Sequence, residues 1–153
     1  MARIIPVLDL DRLDQGASEL RTFLFDLRTA ARDVGFFYLS GHGISASEIS
    51  EVLDASRRFF ALPEADKLAI EMVQSSQFRG YTRAGGELTK GKADWREQLD
   101  IGVERPTIQQ WPGVPAWTRL QGPNQWPHSL PELKPALLSW PAKATEVSNR
   151  LLK

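Results

Sequence analysis

Cysteine is absent from the 153 residues, which excludes a disulfide framework, a thiolate nucleophile and any sulfur-based metal site. Histidine is nearly absent. His42 is followed by Gly43-Ile44 and His128 by Ser129-Leu130, so neither opens a His-x-Asp or His-x-Glu pair. A surplus of charge is missing too: nineteen Lys and Arg balance nineteen Asp and Glu, so nothing marks a nucleic acid or an anionic membrane as a partner. No apolar run approaches the ~20 residues that cross a bilayer, and Met1-Ala2-Arg3-Ile4-Ile5-Pro6 has no hydrophobic signal core. The lack of disulfides fits a cytoplasmic location. A phosphate loop is excluded as well, since Gly85-Gly86 lacks the Gly-x-x-x-x-Gly-Lys pattern.

What is there is ordinary globular composition, 42% apolar and 25% charged, in a chain long enough for one domain. Ile4 to Leu10 is short and apolar with Pro6 near its start, and reads as an edge strand. From about Ser18, residues Leu20, Phe23, Leu24, Leu27, Ala31 and Val34 recur at helical spacing, with Gly35 as the left-handed residue that ends the helix. Phe36 to Leu39 reads as a buried strand. Ser45-Ala46-Ser47-Glu48 matches a capping box, so a helix with Ile49, Val52, Leu53, Phe59 and Phe60 on its apolar face should start here. Pro63 ends it and can open a second, short helix. Gln74 to Gly91 has no sustained period and reads as a long loop, whereas Gln98 to Val103 alternates as a strand with one buried face does. The stretch from Pro106 to Pro131 reads as irregular. Trp95, Trp111, Trp117, Trp126 and Trp140 are expected to be packing anchors, because a base-stacking platform would come with a basic surplus. From Pro131, residues Leu133, Leu137, Trp140, Ala144, Val147 and Leu151 mark a helix running to Lys153, bent or shifted at Pro141. Its apolar stripe is expected to exceed what the rest of the chain can cover.

Six blocks carry a family resemblance: Ile5-Pro6-Val7-Leu8-Asp9, the run Val34 to Ile44, Phe59-Phe60-Ala61-Leu62-Pro63 with Lys67, Arg79-Gly80-Tyr81, Asp94-Trp95-Arg96-Glu97, and Gly122-Pro123-Asn124-Gln125-Trp126-Pro127. In this order and spacing the chain resembles, over nearly its whole length, the N-terminal region of the isopenicillin N synthase-like non-haem iron, 2-oxoglutarate-dependent oxygenases. The resemblance implies an α+β fold, a helical N-terminal part with a few strands that would join a double-stranded β-helix (jelly roll), most of which is missing. Residues 1–153 would be the dioxygenase N-terminal domain, with 131–153 the start of the long helix leading into the catalytic jelly roll. It further implies Fe(II) and 2-oxoglutarate as cofactors of the complete oxidoreductase, which oxidises a small-molecule substrate, typically by hydroxylation. The iron-binding His-x-Asp pair, the second His and the Arg for the oxo-acid would lie downstream of residue 153. No cofactor and no catalysis are expected of this chain alone, which is read as a gene fragment, or a truncated or naturally shortened product.

The same resemblance gives substrate-binding candidates, Arg79, Tyr81 and Glu87. Arg79 precedes Gly80-Tyr81 as a substrate-facing arginine does in the family, and a guanidinium fork suits a carboxylate; the alternative is a structural arginine bonded to nearby carbonyls. Glu87 resembles in position an acidic loop of the bacterial ethylene-forming relatives, and is otherwise a solvated carboxylate. His42, between two glycines, is expected to hydrogen-bond the backbone, and His128 to lie at the surface. Glu97 and Asp100 stand three apart in a strand, on opposite faces, and should share no proton. The alternative to an oxygenase part is a stand-alone binding or interaction module. As part of an oxygenase the chain is expected to self-associate through exposed strands and the C-terminal helix, whereas the module would pair its exposed strands with another chain and a cooperative monomer would favour it.

Overall fold

The computed structural model describes residues 4–152, so Lys153, where the last helix is expected to stop, lies outside the described residues. The chain divides into two compact units, Met1–Ala46 with Lys143–Lys153, and Ser47–Ala142.

In the first unit, strand β1 (Val7–Asp9) pairs in parallel with β2 (Tyr38–Ser40). The expected edge strand is thus shorter than Ile4 to Leu10, and a tight helical turn over Leu10–Asp14 follows it. Helix α1 (Ala17–Thr29) continues through a π-helical turn, Ala30–Val34, and stops at Gly35, whose N–H donates to the Ala30 carbonyl from the left-handed region (φ 96°). Phe23, Leu27 and Ala30 face the core with Leu8 and Leu10, while Leu20 and Leu24 stay exposed, so the buried stripe is narrower than the sequence period suggests. Phe36 and Tyr38 correct a second expectation. Both are about 60% exposed. A two-stranded sheet covered on one side buries only alternate residues of a strand, here Phe37 and Leu39. Arg12 ties the turn to α1, donating to Glu19 (3.0 Å) and Asp26 (2.9 Å). Gly41 (φ 63°) passes so close to the Asp9 turn that a Cβ there would lie 2.2 Å from Asp9 Oδ1.

In the second unit, α2 (Ala46–Phe60, entered from Ala46) begins immediately after Ser45, as the capping box implies, and ends three residues before Pro63. Pro63 caps the short α3 (Glu64–Leu68), with Glu64 and Asp66 in its first turn, where the helix dipole favours carboxylates. The expected long loop is only partly a loop. It contains β3 (Gly80–Thr82), which pairs antiparallel with β6 (Gln98–Asp100), and β4 (Glu87–Thr89), which forms a hairpin with β5 (Lys92–Asp94) just beyond it. The hairpin turn is Lys90-Gly91, both at positive φ (52° and 77°), the signature of a two-residue type I′ connection. Three-residue strands are too short to set up a readable alternation. Trp95, Trp111 and Trp117 are 82%, 60% and 62% exposed, so they are not packing anchors; Trp126 does pack against the core.

Helix α4 (Leu133–Leu152) runs unbroken through Pro141. Its apolar stripe is buried at Leu133 and Leu137 and half-buried from Trp140 to Leu151. Leu133 and Leu137 are buried in the core of the second unit, with Phe59, Ile70, Tyr81 and Leu130, whereas Val147 and Leu151 pack against the core of the first.

A polar group lies inside the second core. Lys67, 8% exposed, donates to Glu97 Oε2 (2.7 Å) and to the Phe60 carbonyl (3.2 Å), and the Tyr81 hydroxyl donates to the same Glu97 oxygen (2.7 Å). The Lys67 ammonium also stands 5.3 Å from the centre of the Tyr81 ring. Hydrogen bonding to Lys67, then to Tyr81, holds the Glu97 carboxyl below the usual range, and Glu97 in turn raises Lys67. Burial, then the bond to Glu97, raises Tyr81.

Side chains of residues 125 and 124 hold the segment ahead of β3 and the residues after β6. Gln125 Nε2 donates to the carbonyls of Arg79 (2.8 Å), Glu71 (3.1 Å) and Ile70 (3.3 Å). Asn124 and Gly102 exchange two bonds, Gly102 N–H to Oδ1 (2.8 Å) and Nδ2 to the Gly102 carbonyl (2.9 Å). Gly80 (φ 123°) lets these strands meet, since a Cβ there would stand 2.3 Å from the Ile70 carbonyl oxygen and 2.6 Å from Gln125 Nε2.

Two outcomes are expected. Gly80→Ala should destabilise the protein by about 3 kcal/mol in urea denaturation, because neither backbone nor amide can retreat without losing bonds. Glu97→Gln should cost about 2 kcal/mol at pH 7, less than a fully buried pair because the Glu97 side chain is 35% exposed. The signs follow from the shifts. A lowered Glu97 contributes stability present above its unfolded value and lost as pH falls through the folded one; raised Lys67 and Tyr81 contribute stability lost only as pH rises through theirs. Denaturation midpoints should therefore hold between about pH 5 and 10, and the acid-side fall should be shallower in Glu97→Gln.

Candidate functional site

Beside β3 lies an open cleft of about 580 Å³, within the range of small-molecule sites. Tyr81 and Glu87, two of the three candidate residues, line it together with Glu71, Met72, Phe78 and Arg83. Glu71 forms an isolated bridge with Tyr81, which brings the segment before Met72 alongside β3. Only this pairing places Glu71 near Arg83, whose Nε and Nη2 both donate to Glu71 Oε1 (3.1 and 2.8 Å) and whose guanidinium is held more firmly protonated by those bonds. Tyr81 is 3% exposed and its hydroxyl is committed to Glu97, so what it offers the cleft is its ring. Glu87 Oε1 accepts from Gln98 Nε2 (2.9 Å), which also donates to Asp100, while Glu87 Oε2 has Arg96 Nη2 at 3.6 Å. Asp100 and Glu97 have separate partners and share no proton.

Arg79 is not part of this cleft lining. Its guanidinium lies against the backbone of Gly102, where an added Cβ would be 2.4 to 2.6 Å from the Arg79 Nη2, Cζ and Nε atoms. Nε is buried with no hydrogen-bond partner among the described residues, and Nη1 reaches only the carbonyl of its neighbour Phe78, at 3.4 Å. The carbonyl-bonded structural arginine is therefore poorly realised.

Neither histidine fits an Fe(II) site. His42 Nδ1 accepts the Ile44 N–H (3.1 Å), the backbone role expected of it, and His128 is exposed. Among the described residues no three His, Cys, Asp or Glu are grouped to hold a metal. Glu71, Phe78 and Arg83 are the cleft residues that sequence reading missed. Glu71 and Arg83 meet only through the bridge at Tyr81, which leaves no periodic trace; Phe78 adopts a left-handed backbone (φ 55°), rare for an aromatic residue.

Comparison with known proteins sets this geometry in a family. Residues 5–129 match the family described as non-haem dioxygenase in morphine synthesis, N-terminal. The 2-oxoglutarate-dependent dioxygenase frbJ of Dothideomycetidae sp. (strain 11243) is 44% identical over 80% of this chain and 33% of its own length. Homoarginine-6-hydroxylase 2-ODD-C23.1 of Arabidopsis thaliana is 36% identical over 97% of this chain and 46% of its own. A crystal structure of a Caulobacter crescentus protein assigned to the 2OG-Fe(II) oxygenase family superposes with a TM-score of 0.69 at 25% identity, covering 99% of this chain and 47% of that one. The chain thus spans a third to a half of the length of these relatives. No described helix is long and apolar enough to cross a membrane. With a family match over 5–129 and relatives 44% and 36% identical over most of its length, this chain belongs to the non-haem dioxygenase N-terminal family.

Proposed function

We propose that this chain is the N-terminal part of an Fe(II)- and 2-oxoglutarate-dependent oxygenase that oxidises a small molecule, and that its cleft forms one wall of the substrate cavity without being catalytic alone. The observation that carries the reading is the cleft itself, formed by residues 71–87 inside the matched region and containing Tyr81 and Glu87. By the family resemblance, the iron ligands and the oxo-acid arginine belong to sequence beyond these residues. When bound there, iron and 2-oxoglutarate supply the oxidising chemistry. This chain's share is binding and orientation. Arg79 lies outside the cleft lining, against Gly102 and with a buried, unpartnered Nε, and it is the family resemblance that assigns it a substrate carboxylate, for which a fork is harder to replace than a point charge. A few of the strands, β2 and β6 among them, join a double-stranded β-helix in this reading, and exposed strands and the C-terminal helix are where the isolated chain self-associates.

A stand-alone binding module is the second reading, favoured by one observation: every residue of the cleft comes from a single unit of the chain. Succinate release under Fe(II) and 2-oxoglutarate separates the two. The isolated chain should give none. Joined to the downstream half of the frbJ relative, it should turn over, and Arg79→Lys should weaken substrate binding about tenfold while leaving 2-oxoglutarate binding unchanged. Turnover by the isolated chain, or equal loss for both ligands, contradicts the assignment.

A further inference from the structure

We infer that the core of the second unit holds a binding site for one small apolar molecule the size of a benzene ring, enclosed between α2, α4 and the end of β6. A cavity of about 160 Å³ lies there, and it shares no residue with the cleft beside β3. Phe59 of α2 and Leu133 of α4, both fully buried, and Leu137, 8% exposed, give it walls that belong to the core itself. Folded proteins pack their interiors as densely as organic crystals, with few voids larger than a water molecule. A void of this size leaves the atoms around it short of dispersion contacts, which an apolar occupant would restore.

The lining selects the chemistry of that occupant. Its one polar side chain is Ser56, and the Ser56 hydroxyl already donates to the Val52 carbonyl at 2.7 Å. A buried water needs several polar partners, and a polar ligand would lose its bonds to solvent without replacement. An apolar cavity of about 150 Å³ lined by Leu, Ile and Phe stays dry and accepts one benzene. The same residue types line this one. The Phe59 and Phe60 rings meet edge to face with centroids 5.1 Å apart, and so present aromatic surface on which a further ring packs. Phe60, Leu99 and Ile101 complete the lining and are only half-buried, so a ligand reaches the cavity from solvent without unfolding of the unit.

The inference does not rest on the proposed function, and its test uses the chain alone. Benzene titrated into the protein should shift the methyl NMR signals of Leu99, Ile101, Leu133 and Leu137 saturably, while those of the exposed Val73 and Leu88 stay in place. Xenon should compete for the site. Pyridine, of the same shape but with a ring nitrogen that finds no donor in the lining, should bind about tenfold more weakly. Ser56→Leu extends a side chain into the cavity from a helical position that favours leucine, and should weaken benzene by about tenfold or more. Ser56→Ala, which leaves the space open, should keep the binding. The xenon and pyridine comparisons decide the matter in the unaltered chain should Ser56→Leu not fold. No saturable shift, equal movement of Val73 and Leu88, no competition by xenon, equal binding of pyridine, or undiminished binding in Ser56→Leu would each overturn the inference.

Discussion

The close approach of Gly80 to the Ile70 carbonyl, sealed by the Gln125 amide, is the constraint on which the second unit depends. One side-chain nitrogen donates to three carbonyls, at Ile70, Glu71 and Arg79, the first two of which also accept backbone N–H groups, from Tyr81 and Gln74. The Arg79 carbonyl gains its partner from the amide, and a buried carbonyl without one is costly. By joining all three, the amide ties the residues before β3 to the turn beside which Tyr81 bridges to Glu71. From that bridge come the Glu71 and Arg83 pair, the exposed placement of Phe78 and the cleft itself.

β3 is fixed from its other side by charge. The Tyr81 hydroxyl and Lys67 converge on one Glu97 oxygen, so a residue of β3, a residue of α3 and the residue just before β6 are locked in one arrangement. Phe59 meets the Tyr81 ring edge-on, with centroids 6.1 Å apart, and packs the same strand on the aromatic core. A strand of three residues has little stability of its own. Here it is held by an amide, the ion group around Lys67 and an aromatic contact, which together fix it firmly.

The helices were legible in the sequence because their signals are long and local. The capping box at Ser45, the Gly35 stop and the period from Leu133 to Leu151 each mark a real boundary or face. The blocks of family resemblance were legible too, and the structure gives several of them a physical reason: Gly41 clears the Asp9 turn, Asn124 and Gln125 clamp β3 and the residues after β6, and Lys67 pairs with Glu97. What escaped was non-local. The β4 and β5 hairpin is signalled only by Lys90-Gly91, and the Glu71 to Arg83 contact follows from the bridge at Tyr81, beside a turn tied by Gln125, far along the chain. Tryptophan hydrophobicity misled at Trp95, Trp111 and Trp117, which the fold leaves in solvent, and the period of α4 could not reveal that its two ends reach separate cores. Of the three site candidates, sequence could group Arg79 with Tyr81 but could not foresee that the guanidinium turns onto Gly102 while Glu87 joins the cleft.

Amide hydrogen exchange in a Gln125→Leu variant tests the dependence on that clamp most directly. The Tyr81 N–H, bonded to the Ile70 carbonyl at 2.9 Å, should be among the slowest to exchange in the parent protein. In the variant it should exchange about a hundredfold faster by local opening, while core amides of α2 near Phe59 keep their protection. Unchanged protection at Tyr81, or a uniform loss across α2 and β3 alike, would contradict the account.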